Sequence, residues 1–220
     1  MEEIESIREE FVFSEELIIK TDFGNGAGDR DFVSYPVKIK NLARISLTSG
    51  RHARRLSRAA RFLNAGNILE IGTSLGITTA YLALSHPYAN VITLEGCPEL
   101  SRTARTVFDR LGIENVELME GRFEDTLEKA LQKISSPDLV FIDGNHRKEA
   151  MISYFNLCRP LMKNNSLMVF DDIHLDPETE EAWNIIRKDS SVSISLDLFY
   201  SGWLIFRQES SREHFRLRYI

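Results

Sequence analysis

Short runs rich in apolar residues recur along the middle of the chain, at Ile68–Ile71, Val91–Leu94, Val116–Met119, Leu139–Ile142 and Leu167–Phe170. Runs of this length and branching indicate buried β-strands. The stretches between them carry apolar residues at helical spacing. Strands that alternate with helices predict an α/β fold built on a mostly parallel sheet.

Two further apolar stretches, Val192–Tyr200 and Trp203–Phe206, flank Ser201-Gly202, which is a turn signal. They predict an antiparallel hairpin late in the chain. Five strand–helix units followed by a hairpin give a Rossmann-like, seven-stranded, mostly parallel sheet with helices on both faces.

The N-terminal part of the chain does not show this alternation. Met1–Phe13 and Val37–Ala65 have the spacing of amphipathic helices. Between them, Gly24–Gly28 contains three glycines and is either a plain loop or a lid over a site. We therefore expect a helical cap or lid region over residues 1–63 and the main domain over residues 64–220.

The predicted helical segment Val37–Ala65 is strongly basic, because it carries Arg51, Arg54, Arg55, Arg58 and Arg61. Such a run usually forms a solvated face that pairs with acidic neighbours. The alternative is that one or two of these arginines face an anionic acceptor. Gly66 is predicted to cap the end of the segment.

A strand, a turn of small residues and a helix follow one another over Asn67–Tyr81. This order presents backbone N–H groups and the positive end of a helix to a polar ligand. A carboxylate at Glu70 repels phosphate and attracts cations, which favours S-adenosylmethionine with its sulfonium and ammonium groups. A plain tight turn is one alternative. A nicotinamide site is another, but it requires Gly-x-Gly-x-x-Gly, whereas the spacing here is Gly72-x-Ser74-x-Gly76.

Acidic residues or a glycine stand at the end of every predicted strand of the parallel sheet. They are Glu70, Glu95, Gly121, Asp143 and the pair Asp171 and Asp172. Ligands bind beyond the carboxyl ends of the strands in such sheets. Glu95, at the second of these strands, is placed to bind the ribose hydroxyls of a nucleoside; the alternative is a solvated strand end.

Asp143, Asp171 and Asp172 bring three carboxylates to two adjacent strand ends. Without compensation they would repel one another and raise each other's pKa. A hard divalent cation would relieve this repulsion, and oxygen ligands suit Mg²⁺, Mn²⁺ or Ca²⁺. The alternative is that one or two of them only cap neighbouring helices.

The turn after the first of these strands resembles motif I of class I S-adenosylmethionine-dependent methyltransferases, acidic-x-Gly-x-Gly-x-Gly. Ser74 replaces the middle glycine, as in small-molecule O-methyltransferases of that class. The resemblance covers about Asn64–Arg207. With the strand-end pattern it assigns cofactor binding to Glu70, Gly72, Thr73, Ser74, Gly76, Glu95, Gly96, Gly121, Arg122, Phe123 and Asp143. It also implies that the turn at Gly121 lies along the adenine, where Phe123 either stacks on the ring or packs in the core.

Phe141–Asp143 and Val169–Asp172 are similar to the metal motifs of the catechol and caffeoyl-CoA O-methyltransferases and their bacterial small-molecule relatives. In those enzymes two aspartates and an asparagine hold a divalent ion. The resemblance implies that Asp143 and Asp171 are the matching aspartates. Asp172 stands in the position of the asparagine, and its extra charge leaves the identity of the metal open.

His146 stands where the catechol-type enzymes carry a lysine. An unperturbed histidine titrates near pH 6.5 and is largely a proton acceptor at pH 7. We predict that His146 and Asp143 are catalytic, with His146 as general base or as the group that orients the acceptor oxygen. His174 is the rival base, and the alternative is that His146 only caps a helix or bonds an aspartate.

The composition narrows the choice of partners. The formal net charge is −6 and the pI about 5.5, which argues against nucleic acid and anionic membranes as partners. No apolar run approaches the roughly 20 residues of a membrane span. An acidic N-terminus without a signal peptide's apolar core, and only two cysteines, Cys97 and Cys158, lead us to expect a cytoplasmic protein.

The sequence thus predicts an enzyme that transfers a methyl group from S-adenosylmethionine to an oxygen of a small molecule, with help from a divalent cation. Alternatives are a metal-independent methyltransferase with another small-molecule acceptor, a nicotinamide-dependent oxidoreductase, and a non-catalytic module that binds S-adenosylmethionine. The acceptor is not identified, and a homodimer is left open.

Overall fold

The computed structural model describes residues 1–23 and 32–218, so the predicted lid at Gly24–Gly28 lies outside the described residues. Within these ranges the strands are β1 (Leu17–Asp22), β2 (Val33–Lys38), β3 (Asn67–Ile71), β4 (Asn90–Glu95), β5 (Val116–Glu120), β6 (Leu139–Ile142), β7 (Ser166–Asp171), β8 (Ile194–Asp197), β9 (Ser201–Phe206) and β10 (Glu213–Arg216). The helices are α1 (Glu2–Phe13), α2 (Ile39–Ser46), α3 (Gly50–Phe62), α4 (Ile77–Ser85), α5 (Pro98–Arg110), α6 (Phe123–Ile134), α7 (Lys148–Cys158) and α8 (Pro177–Ile186).

The main sheet has the strand order β10-β8-β9-β7-β6-β3-β4-β5. Strands β3 to β7 pair in parallel, and β9 runs antiparallel to both β7 and β8. The Rossmann-like parallel sheet and the antiparallel hairpin are therefore confirmed.

The strand count was wrong by one, because β10 adds an eighth strand parallel to β8. Its four residues, Glu-His-Phe-Arg, are all exposed. An edge strand that buries no side chain leaves no apolar run in the sequence.

The predicted hairpin turn was also misplaced. Ser201 and Gly202 lie inside β9, and the connection from β8 runs through Leu198–Tyr200. A Cβ atom at Gly202 would lie 2.5 Å from the ring of Trp183. The glycine is thus required for close packing of α8 on the sheet rather than for a turn.

Side chains of the central strands alternate between two cores. Leu69, Val140 and Met168 point to the side covered by α6, α7 and α8, whereas Ile68 and Leu139 point to the side covered by α3 and α4. Each strand is buried on both faces, which explains the uninterrupted apolar runs. Helices on both faces of the sheet are confirmed.

The N-terminal part consists of α1, the antiparallel pair β1–β2, α2 and α3. Ile4 and Ile7 of α1 are fully buried in a cluster with Tyr81 of α4. The helical segment after residue 37 is two helices, and Gly66 does not cap either one. Asn64 takes the left-handed conformation after α3, at φ 50°, because an asparagine tolerates that geometry. None of the described helices is long and apolar enough to cross a membrane.

Candidate active site

A cavity of about 1220 Å³ lies where the carboxyl ends of β3, β4, β6 and β7 meet the loop between α2 and α3. Gly72, Glu95, Asp143 and Asp171 line it from the sheet side. Thr48 and the first turn of α3 line it from the opposite side. The strand ends are thus brought together as the sequence predicts, and an N-terminal segment completes the enclosure.

Seven of the predicted cofactor residues line this cavity: Gly72, Ser74, Glu95, Gly96, Arg122, Phe123 and Asp143. The other four, Glu70, Thr73, Gly76 and Gly121, do not belong to its wall. Of these four, Glu70 and Thr73 are buried.

Gly72 allows the ends of β3 and β6 to approach each other. Its φ is 105°, and a Cβ atom there would overlap the backbone carbonyl oxygen of Asp143 and lie 2.8 Å from the carbonyl carbon. The N–H groups of Gly72 and Thr73 both donate to the carbonyl of Leu94, at 3.0 and 3.1 Å. The turn is therefore fixed to β4 while it lies against β6.

Ser74 has a φ of 51°, so it occupies a left-handed position that glycine adopts more easily. The turn keeps this conformation because the backbone N–H of Ser74 donates to Glu95 Oε2 at 2.8 Å.

Glu70 lies beneath the turn with no exposed surface. Its Oε2 accepts hydrogen bonds from the hydroxyls of Thr79 and Thr93, while its Oε1 has no partner among the described residues. Burial raises the pKa of Glu70 to about 8, against the opposing effect of the two threonines. The side chain therefore holds β3, β4 and α4 together in the structure, rather than lining the cavity.

Glu95 is the acidic residue that reaches the cavity wall at β4. Its Oε2 binds the N–H of Ser74, and its Oε1 accepts from the N–H of Cys97 at 2.9 Å. Burial raises the pKa of Glu95 to about 7. Each carboxylate oxygen can accept two hydrogen bonds, so the group retains capacity for a ligand.

Aromatic side chains surround the cavity wall beyond β5. The guanidinium of Arg122 lies over the ring of Phe23, 5.5 Å from its centroid. Phe123 lines the cavity and also packs edge-on against Tyr154, with ring centroids 6.1 Å apart. Phe123 thus packs in the core and also forms part of the cavity wall.

The acidic corner of the cavity contains Asp143, Asp171 and Asp172. Burial raises the pKa of Asp143 to about 6, with a further contribution from Asp172 and an opposing one from His146. Burial also raises the pKa of Asp171 well above its usual range, and the charges of Asp143 and Asp172 add to the shift.

Two groups outside this corner hold its aspartates in place. The hydroxyl of Thr48 donates to Asp143 Oδ2 at 3.2 Å. The N–H of Asp172, whose φ is 52°, donates to the carbonyl of Tyr200 at 2.7 Å. In the described part of the chain, no group of three or more His, Cys, Asp or Glu side chains is arranged to hold a metal ion, so the predicted metal site is not confirmed.

The two candidate bases are in different environments. His146 lines the cavity, with Nε2 3.8 Å from Asp143 Oδ1. His174 is not part of the cavity wall. Its Nε2 lies 3.1 Å from Asp197 Oδ2, and its Nδ1 lies 3.8 Å from Glu180. The geometry therefore favours His146 over His174 as the residue that meets an acceptor.

Several residues of the cavity wall were not predicted from the sequence, including Phe23, Thr48 and His52. Of the five arginines in the basic segment, Arg51, Arg54 and Arg55 line the cavity and Arg58 and Arg61 do not. Arg54 lies 3.7 Å from Glu5. A helical periodicity could have grouped positions 51, 54 and 55 on one face, but only the tertiary structure shows what that face meets.

Residues 69–173 match a family model described as a methyltransferase domain. Among curated proteins, the catechol O-methyltransferase of Niastella koreensis is 32% identical over 120 residues, which are 53% of this chain and 53% of that protein. The chain spans about half the length, or less, of the curated relatives it matches.

Two solved structures illustrate the structural similarity. Cofactor-bound Rv0187 from MTB is 25% identical, with a TM-score of 0.65 over 76% of this chain and 84% of that chain. The O-methyltransferase TomG from Streptomyces achromogenes, which is involved in tomaymycin synthesis and was solved with SAM, is 25% identical, with a TM-score of 0.62 over 73% of this chain and 80% of that chain.

Proposed function

Because the chain carries a class I S-adenosylmethionine-dependent methyltransferase domain, we propose that it transfers the methyl group of S-adenosylmethionine to a hydroxyl oxygen of a small molecule. The observation that carries the proposal is one cavity whose wall combines Glu95, Gly72 and Ser74 with His146 and the three aspartates. The similarity to a catechol O-methyltransferase supports oxygen as the acceptor atom.

The cofactor would lie along the ends of β3, β4 and β5. The Glu95 carboxylate would accept hydrogen bonds from the ribose hydroxyls, and the Arg122–Phe123 turn would border the adenine. The carboxylates at the two acidic strand ends, Glu95 and Asp143, would repel a phosphate bound beside them. The wall therefore suits a nucleoside with a cationic sulfonium better than a dinucleotide.

Methyl transfer needs the acceptor oxygen in line with the sulfonium methyl group, and most of the rate gain comes from that placement. His146 is placed to take the hydroxyl proton or to orient the oxygen, next to Asp143. The acceptor would enter beside the α2–α3 loop. We propose a small molecule rather than a nucleic acid as the acceptor, since the formal net charge of the chain is −6.

We also propose that the acidic corner takes up a divalent cation. Asp143 and Asp171 are largely buried carboxylates whose pKa values are raised by burial and by neighbouring carboxylates. With Asp172 they offer oxygen donors for a hard ion such as Mg²⁺, Mn²⁺ or Ca²⁺. Asp143 and Asp171 would be ligands, and Asp172 the third. A cation bound there would lower the pKa of an acceptor hydroxyl and help to fix its position.

The cofactor assignment is tested by substitution of Glu95. We expect Glu95→Gln to weaken binding of S-adenosylhomocysteine at least about tenfold, because a charge-assisted hydrogen bond contributes roughly 1.5–3 kcal/mol. Isothermal calorimetry measures the affinity, and Glu114→Gln, at an exposed position, is the matched control. Unchanged affinity in Glu95→Gln would reject the ribose contact. A wild-type protein that binds neither S-adenosylmethionine nor S-adenosylhomocysteine would reject the proposed function.

The metal assignment is tested by thermal unfolding of the protein saturated with S-adenosylhomocysteine. A cation that binds only the folded state raises Tm, so Mg²⁺ should raise the Tm of the wild type and not that of Asp171→Asn. Asp109→Asn, at an exposed position of α5, should respond like the wild type. If chelation leaves both Tm and methyl transfer unchanged, the reaction is metal-independent and the aspartates contact the acceptor directly.

A further inference from the structure

Arg8 of α1 reaches the loop that joins α2 to α3. Its Nη1 donates to the backbone carbonyl of Thr48 at 2.8 Å. Thr48 stands between Leu47, at the end of α2, and Ser49, which caps the start of α3. Arg8 therefore holds the backbone at the middle of this loop, 40 positions away in the chain.

The side chain of Thr48 continues this contact into the acidic corner of the cavity. Its hydroxyl donates to Asp143 Oδ2 at 3.2 Å. The other oxygen of Asp143, Oδ1, lies 3.8 Å from Nε2 of His146. The hydrogen bond from Thr48 thus fixes the rotation of the Asp143 carboxylate, and with it the position of the oxygen that faces His146. Contacts run without a break from α1 to the candidate base.

The surroundings of Arg8 indicate more than a role in stability. Its side chain is only 14% exposed. Nε and Nη2 are buried and have no hydrogen-bond partner among the described residues, although Nε lies 3.4 Å from Glu5 Oε2. Buried donors without partners lower the free energy of unfolding, and such departures from good packing are expected at functional sites. Arg8 is not part of the cavity wall, so it does not contact a ligand itself.

We propose that Arg8 is a positioning residue for methyl transfer. It holds Thr48 in place, so that the Thr48 hydroxyl fixes the carboxylate of Asp143 beside His146. The proposal rests on the proposed function for the roles of Asp143 and His146. It makes α1 a part of the active site, in addition to its packing against α4.

Arg8→Met keeps the aliphatic stem and removes the hydrogen bond to Thr48. With S-adenosylmethionine and catechol as probes, it should lower kcat at least about tenfold, because a displacement of about 1 Å costs up to roughly 100-fold. The affinity for S-adenosylhomocysteine, measured by calorimetry, should change little. Arg8→Lys, which keeps a donor at this place, should recover part of kcat. Arg110→Met is the matched control, since Arg110 binds Glu10 of the same helix at 2.7 and 2.9 Å and is not part of the cavity wall.

A double-mutant cycle separates this route from a general loss of structure. If Arg8 acts through the Thr48 hydroxyl, the double variant Arg8→Met with Thr48→Val should lose no more kcat than Thr48→Val alone. Thr48→Ser, which keeps the hydroxyl, should retain most of the activity. Losses that multiply in the double variant would overturn the proposal. So would a kcat of Arg8→Met equal to that of the wild type.

An NMR measurement tests the link without turnover. In protein with isotope-labelled threonine methyl groups, the signal of Thr48 is identified by its absence in Thr48→Ser. This signal should shift in Arg8→Met and stay in place in Arg110→Met. If the wild type does not methylate catechol, the signal decides the matter, and an unmoved signal in Arg8→Met would overturn the proposal. Failure of the wild type to bind both S-adenosylmethionine and S-adenosylhomocysteine would refute the proposed function instead, whatever the Thr48 signal shows.

Discussion

Substitution of Gly72 by alanine is expected to lower the free energy of unfolding by about 2–5 kcal/mol, the sum of a strained backbone and an overpacked contact. At φ 105° the new Cβ atom would overlap the carbonyl oxygen of Asp143. A backbone carbonyl cannot rotate away as a flexible side chain can. Either β3 and β6 separate at their ends or the turn changes conformation.

Gly112→Ala provides the matched control. Gly112 also has a positive φ, of 60°, but an added Cβ would meet no atom within 4 Å. Gly112→Ala should therefore lower the free energy of unfolding only through backbone strain, by about 1–2 kcal/mol. Urea unfolding of both variants gives the two free energies, and equal losses would show that the contact with Asp143 does not matter. Because the same contact places Asp143 in the cavity, Gly72→Ala should also weaken S-adenosylhomocysteine binding, whereas Gly112→Ala should not.

The parallel core of the fold could be predicted because each of its strands is buried on both faces. A strand such as Leu139–Ile142 then appears in the sequence as an unbroken apolar run. The parts that were wrong lack this signal. Strand β10 has only exposed residues. Gly202 resembled a turn residue, but its lack of a side chain serves the packing of Trp183.

The candidate site was predictable on the side of the sheet and not on the opposite side. Acidic residues at strand ends can be recognised from the sequence, because the topology brings the carboxyl ends of all parallel strands to one edge of the sheet. Thr48 and His52 do not follow a predicted strand, so nothing in the sequence marks them as residues of the site. Thr48 lies 95 positions from Asp143 in the chain, and the hydrogen bond between them depends on how α2 and α3 dock on the domain.

The roles of buried residues were also hard to predict from their type alone. Glu70 and Glu95 are both acidic residues at strand ends, and the sequence assigned both to the cofactor. In the structure, Glu70 is fully buried between two threonine hydroxyls, and only Glu95 reaches the cavity wall. The difference depends on the strand register: Glu70 pairs with Thr93 inside the sheet, whereas Glu95 lies two residues beyond Thr93, at the end of β4.

Substitution of His146 by alanine is expected to lower kcat for methyl transfer at least about 100-fold, the lower end of what a positioned proton acceptor contributes. His146 is the histidine that lines the cavity beside Asp143, at 3.8 Å. The affinity for S-adenosylhomocysteine should change little, since the predicted ribose contact is on another strand. His146→Lys, which restores a base at the same position, should recover part of the loss.

His174→Ala is the control that decides between the two histidines. His174 is bound to the buried Asp197 and is not part of the cavity wall, so its loss should lower Tm and leave kcat within a small factor of the wild type. Radiolabelled methyl transfer to any acceptor that the wild type uses measures both. A large loss of kcat in His174→Ala alone would reverse the assignment. If neither variant loses activity, proton transfer does not limit the reaction, and placement of the acceptor at the acidic corner accounts for the rate.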